Sequence, residues 1–221
     1  MHVDQVTSSA VAVCSSLIGF AVVAGLMTIT PGLDTALVLR TAATGSRREA
    51  FACALGIGAG VLTWAVAAAV GASALAAASP VAFTVLRYAG AAYMIWLGAR
   101  MLLAAFRGGA HRADDAPSPQ RSAGGAFRQG LFVNLLNPKI GAFYLALLPQ
   151  FLPVGESPLV MGVLLGLVHN VEGLLWFAGI ILAVDRMRPL LARPRVQRGI
   201  EAVAGSAVVG FGLRLGLTPL R

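Results

Sequence analysis

Apolar residues gather into six long stretches, at about residues 11–39, 50–72, 83–106, 130–148, 159–184 and 199–217, separated by polar or basic links. An α-helix needs about twenty apolar residues to cross the ~30 Å hydrocarbon layer of a bilayer. Each stretch is near that length or longer, so the pattern predicts an all-α membrane protein with six transmembrane helices. Residues 107–129 form the one substantial polar stretch. They include Gly108, Gly109, Asp114, Asp115, Pro117, Pro119, Gly124 and Gly125, a composition that predicts a flexible linker. The chain then divides as one transmembrane domain, with about residues 11–106 before the linker and 130–217 after it.

Two of the stretches contain helix breakers. Thr30-Pro31-Gly32-Leu33-Asp34 interrupts the first, and Asn137-Pro138-Lys139 interrupts the fourth. Proline lacks a backbone N–H and its ring clashes with the preceding turn, while glycine adds backbone freedom. The first and fourth helices are therefore expected to break at Pro31 and Pro138. Lipid cannot satisfy the backbone groups that such a break frees, so each break must face protein or a watery cavity. Asp34 and Lys139 add opposite charges at the two breaks. A carboxylate near the centre of a membrane helix costs about 2.5–3.5 kcal/mol on insertion scales and normally faces inward, with a partner.

Composition agrees with a membrane setting. The chain is 57% hydrophobic and 12% charged, where soluble domains carry about 25% charged residues. A net charge of +8 does not point to nucleic acid, because the basic residues fall in short links and form no basic helix or aromatic-interleaved patch. Cys14 and Cys53 both lie in apolar stretches and read as small packing residues, with no disulfide framework, metal site or cofactor expected. Residues 1–10 carry Asp4 and neither Lys nor Arg, unlike a secretion signal, so the first helix is expected to be retained.

The arginines alternate between links. Arg40, Arg47 and Arg48 lie after the first stretch, Arg107, Arg112, Arg121 and Arg128 after the third, and Arg186, Arg188, Arg193, Arg195 and Arg198 after the fifth. The second and fourth links carry no basic residue. By the positive-inside rule the odd links are cytoplasmic and both termini extracytoplasmic, in the plasma membrane.

The two halves also correspond in sequence. Pro31 answers to Pro138, Gly56 and Gly60 to Gly166 and Asn170, and Gly90, Gly98 and Arg100 to Gly205, Gly212 and Arg214. With three helices per half, the halves have opposite orientation. Inverted repeats with broken helices at matching positions indicate a transporter whose site lies between the repeats near midplane.

These residues also resemble a known family. Thr30 to Asp34, followed by Gly45, Arg47 and the glycine run 56–60, looks like the opening signature of the lysine exporter (LysE/RhtB) superfamily of amino-acid efflux proteins. GLFVNLLNPKIGAFYLALLPQF, residues 130–151, is similar to its second signature, and GAAYMIWLGAR, residues 90–100, to its third-helix pattern. Leu33 departs from the family, which usually has a second proline there. The resemblance implies a secondary transporter that exports amino acids or close derivatives. Broken helices and their charges put the expected substrate contacts at Thr30, Pro31, Gly32, Asp34, Asn134, Asn137, Pro138 and Lys139. The expected partners are an amino-acid-like solute and the bilayer, with a homodimer allowed.

Two readings of Asp34 and Lys139 stay open: mutual neutralisation, or reception of a substrate's ammonium and carboxylate. No phosphate-binding P-loop occurs, so an ion or substrate gradient is the expected drive. The candidates for proton coupling are Glu172, Asp34 and His169. Glu172 and His169 are three residues apart and share a helix face; a hydrogen-bonded structural pair is the alternative for them. An intramembrane enzyme is disfavoured because HExxH, GxSxG and a paired-aspartate signature are all missing. A cation exporter of the same superfamily is the nearer rival, yet it would want several carboxylates or thiolates in the helices.

Overall fold

The computed structural model describes residues 2–107, 122–191 and 193–217. It is helical throughout, with no strand among the described residues. In chain order the helices are α1 (His2–Ile29), α2 (Leu33–Thr44), α3 (Arg47–Ala78), α4 (Pro80–Arg107), α5 (Ala123–Leu135), α6 (Pro138–Leu147), α7 (Pro158–Leu182), α8 (Val184–Leu191) and α9 (Pro194–Leu217), with a 3-10 turn at Leu148–Phe151. By length and composition, three described segments suffice to cross a membrane: Ser9–Ile29, Arg47–Ala72 and Pro158–Leu182. The pair α5–α6, bent by 55°, makes a fourth if it counts as one crossing. Helices α4 and α9 cover the third and sixth apolar stretches of the sequence and are not among the segments that meet this measure.

Both breaks appear where proline requires them. α1 stops at Ile29 and α2 begins at Leu33. Thr30 Oγ1 turns back to donate to Leu26 O at 2.6 Å, and Ala36 N donates to Gly32 O at 2.9 Å to start the new helix. Gly32 adopts φ −158° and ψ −166°, extended backbone open to any residue, so its conformational freedom is not what breaks the helix. At the second break Asn137 caps α6, its Oδ1 accepting from Lys139 N at 3.1 Å. Pro138 occupies the first turn of α6, where its missing N–H is no loss.

The linker expected over residues 107–129 is shorter than composition suggested. Residues 123–129 belong to α5, whose N-terminus is capped by Ser122 accepting from Gly125 N at 3.2 Å. Gly124 and Gly125 looked like linker glycines, but tertiary contact decides otherwise: Ala126 is buried in a cluster with Cys53, Ala54 and Ile57 of α3. Residues 108–121, including Asp114 and Asp115, lie outside the described residues. The second link shrinks to Ser79, because α3 and α4 extend through the uncharged alanines on either side. Part of the basic link 186–198 is likewise helical, as α8 and the start of α9.

Small residues set the helix crossings. A Cβ built at Gly56 would stand 2.0 Å from Phe127 O, and one at Gly130 2.1 Å from Cys53 O, so the backbones of α3 and α5 touch. Gly98 and Gly205 meet in the same reciprocal way, a Cβ built on each falling 2.7 and 2.9 Å from the other's carbonyl oxygen, and join α4 to α9. Gly162 and Gly166 bring α7 against Ala69 and Ala65 of α3. The order of these contacts makes α3–α7 and α4–α9 antiparallel and α3–α5 parallel, since Gly56, Gly60 and Trp64 meet Phe127, Asn134 and Gly141 in the same order. Close approach maximises dispersion contacts where lipid supplies no hydrophobic drive.

Two apolar clusters result. One holds Phe20, Val23, Met27, Val61, Ala65, Ile140, Phe143, Tyr144 and Leu165, and the other Val38, Cys53, Ala54, Ile57, Phe177 and Ile181. The polar breaks lie between them.

Candidate functional site

A cavity of about 40 Å³ opens between the two clusters. Met27, Val61 and Ile140 line it from one cluster, and Ala54, Ile57 and Phe177 from the other. The polar lining comes from Thr28, Thr30, Asp34, Thr35, Asn137, Lys139, His169 and Asn170. A water needs roughly 10–15 Å³ of such volume, so this conformation admits a few waters and is too tight for an amino acid.

The breaks bring the chemistry together. Residues at the N-termini of α2 and α6 both line the cavity, namely Leu33 and Asp34 from one and Lys139 and Ile140 from the other. Helix N-termini present unsatisfied N–H groups and partial positive charge. Asp34 is buried, 9% exposed, and its Oδ2 accepts from Asn134 Nδ2 at 2.9 Å. Its Oδ1 is buried without a hydrogen bond. Lys139 Nζ donates to Met27 O at 3.4 Å, near the end of α1, and its charge also acts on Asp34 and on His169. The two broken helices, α1–α2 and α5–α6, therefore exchange interactions through both charged groups. Among the lining residues Asp34 is the one carboxylate and Lys139 the one ammonium.

The other sequence candidates sort by position. Thr30, Gly32, Asp34, Asn137, Lys139 and His169 all line the cavity. Pro31 and Pro138 shape the breaks without forming its wall. Asn134 is fully buried behind Asp34, wedged against α3, where a Cβ on Gly60 would stand 2.6 Å from its Oδ1. His169 Nδ1 is 2.9 Å from the Tyr144 hydroxyl, and the two rings stack at 24° with centroids 5.7 Å apart. That arrangement places His169 inside an aromatic group with Phe143 and, through Tyr144, with Phe20. Glu172, one turn beyond His169, is absent from the cavity wall and faces α1, its Oε1 3.7 Å from a Cβ built on Gly25. Its Oε2 is buried without a hydrogen-bond partner.

Sequence reading missed Thr28, Thr35, Gly58 and Asn170 as wall residues. Asn170 carried a usable signal, being an amide in the middle of an apolar helix. A Cβ on Gly58 would fall 2.3 Å from Asn170 Oδ1, so α3 yields space to this amide as it does at Gly60. Thr28 and Thr35 carried none, because threonine in a membrane helix commonly bonds its own backbone.

Comparison with known proteins identifies the family of the chain. Residues 23–218 match the family described as LysE type translocator. The chain is 30% identical over 211 residues to the uncharacterized membrane protein YrhP of Bacillus subtilis (strain 168), covering 92% of this chain and 99% of that one. It is 31% identical over 192 residues to the threonine efflux protein of Escherichia coli (strain K12), covering 85% of this chain and 90% of that one. It is 30% identical over 190 residues to the homoserine/homoserine lactone efflux protein of Salmonella typhi, with 86% and 90% coverage. No solved structure matches the chain. The chain belongs to the LysE type translocator family, and it is a membrane transporter rather than an enzyme.

Proposed function

We propose that this transporter exports small amino acids or close derivatives across the plasma membrane, using the cavity between the Pro31 and Pro138 breaks as its binding site. The observation that carries the reading is the pairing of one carboxylate and one ammonium in that cavity, each set at the start of a half-helix. Asp34 suits a substrate ammonium. Lys139 and the N-termini of α2 and α6 suit a carboxylate. The relatives named for threonine and for homoserine or its lactone support the same substrate class.

The cavity as it stands is too small for such a solute, so binding requires the two apolar clusters to part on one side. Parting on alternate sides gives alternating access. Six crossings in two inverted repeats suit this motion, and the antiparallel α4–α9 contact at Gly98 and Gly205 supports that arrangement. The arginine pattern supports an arrangement with both termini outside. A homodimer is testable by light scattering on the detergent-solubilised protein.

The proton gradient is the proposed drive, with Glu172 as coupling group. Glu172 stands between α1 and α7, away from the substrate charges, where a change in its protonation would alter the contact of two moving helices. Export of a metal cation has less support, because among the described residues no three His, Cys, Asp or Glu side chains are grouped to hold one.

The deciding experiment is flux from vesicles containing the purified protein, with a panel of amino acids and metal ions under an imposed pH gradient. Gradient-driven movement of one or a few amino acids is expected. Movement of a metal ion with no amino acid moving overturns the reading.

A further inference from the structure

We propose that the cavity recognises its substrate through a single primary ammonium group received by Asp34 Oδ1, and that Asn134 is the positioning residue that closes the other carboxylate oxygen. The inference rests on the transport reading above and names the group by which that site selects.

A free carboxylate offers two oxygens and accepts a planar guanidinium fork in bidentate fashion. Asp34 does not offer both. Asn134 Nδ2 holds Oδ2 at 2.9 Å, and Asn134 has no room to swing aside, being 0% exposed and lodged against α3 at Gly60. Asn134 is also absent from the cavity wall, so it acts through Asp34 and not on the solute. What remains is Oδ1, buried and without a hydrogen bond, although the Asn137 side chain on the cavity wall also acts on Asp34.

A second atom points to the same ligand. Thr28 Oγ1 is buried without a partner, and Thr28 lines the same cavity. Two lining residues thus each hold a buried, unsatisfied oxygen, one of them a carboxyl oxygen. An ammonium is a compact charge with three rotatable donors and can use single acceptors placed separately, whereas a guanidinium needs two acceptors side by side to use its fork. Buried acceptors left unpaired are costly, so a solute that brings no donor leaves both oxygens unsatisfied and binds poorly.

The test uses the full-length protein in detergent and reads its melting temperature, which rises with any ligand that binds the folded state. Three equimolar mixtures serve as probes: the common α-amino acids, their N-acetyl derivatives, and their α-guanidino counterparts. Stabilisation is expected from the first mixture, with the other two weaker by about tenfold or more in apparent affinity. In Asn134→Leu the second oxygen of Asp34 is released. The guanidino acids should then gain on the parent acids, a change of preference that a merely structural role would not produce. Equal stabilisation by the N-acetyl mixture overturns the proposal using the parent protein alone, whatever the variant's stability. An unchanged preference in a folded Asn134→Leu protein overturns the positioning role. Stabilisation by the parent acids without their export from vesicles overturns the transport reading and leaves the ammonium site standing.

Discussion

Asn134 donates from Nδ2 to Asp34 Oδ2 at 2.9 Å across one hundred positions of sequence, tying the end of α5 to the start of α2 inside the protein. This bond and the reach of Lys139 back to Met27 O cross-link the two broken helices in both directions. Each break is thereby held by a residue from the other half of the chain.

The charges at the breaks should prove coupled. Asp34→Asn leaves the Lys139 charge less compensated, and Lys139→Met does the same to Asp34. Breaking a directly bonded buried ion pair costs about 3–5 kcal/mol; here Lys139 Nζ bonds Met27 O and Asp34 Oδ2 bonds Asn134, so a smaller loss is expected. Each single change should lower the yield of folded protein in membranes, and the double change should recover part of it. Losses in thermal stability that simply add would show that the two charges act independently.

Two glycines of α3 should respond in opposite ways to the same substitution. A Cβ at Gly56 overlaps the α5 backbone, whereas one at Gly71 meets nothing within 4 Å. Gly56→Ala should destabilise by at least about 1–3 kcal/mol, the usual penalty of overpacking. Gly71→Ala should be neutral, or stabilise by up to about 1 kcal/mol through helix propensity. Thermal unfolding in detergent measures both, and equal responses would contradict the packing of α3 on α5.

Glu172 lies apart from the cavity, so its loss should spare binding. Glu172→Gln is expected to abolish the response of export to an imposed pH gradient while substrate exchange between vesicle interior and bath continues. A mutant that follows the gradient like the parent would make Glu172 a structural residue of the α1–α7 contact.

Topology has a direct check. Reporter fusions at Gly109 and after Arg221 should report opposite compartments, cytoplasmic for the first and extracytoplasmic for the second. The same compartment for both would remove the six-crossing arrangement.

The sequence by itself determined the features that arise within one helix. Pro31 and Pro138 break their helices because a missing N–H and a bulky ring act locally, and Asn137 caps the second break with its own side chain. Membrane character and the placing of one charge at each break follow from composition and position alone. Tertiary structure decided which polar groups meet. Residues 123–129 read as linker until α3 supplied a surface for Ala126 and Gly130 to bury against. Asn134 read as one more substrate contact, and its position behind Asp34 depends on the space that Gly60 leaves on a different helix. His169 and Glu172, three residues apart on one helix, diverge to the cavity wall and to α1 because different neighbours pack against each of them. Helical spacing fixes which residues share a face, and only the contacts between helices fix what that face meets.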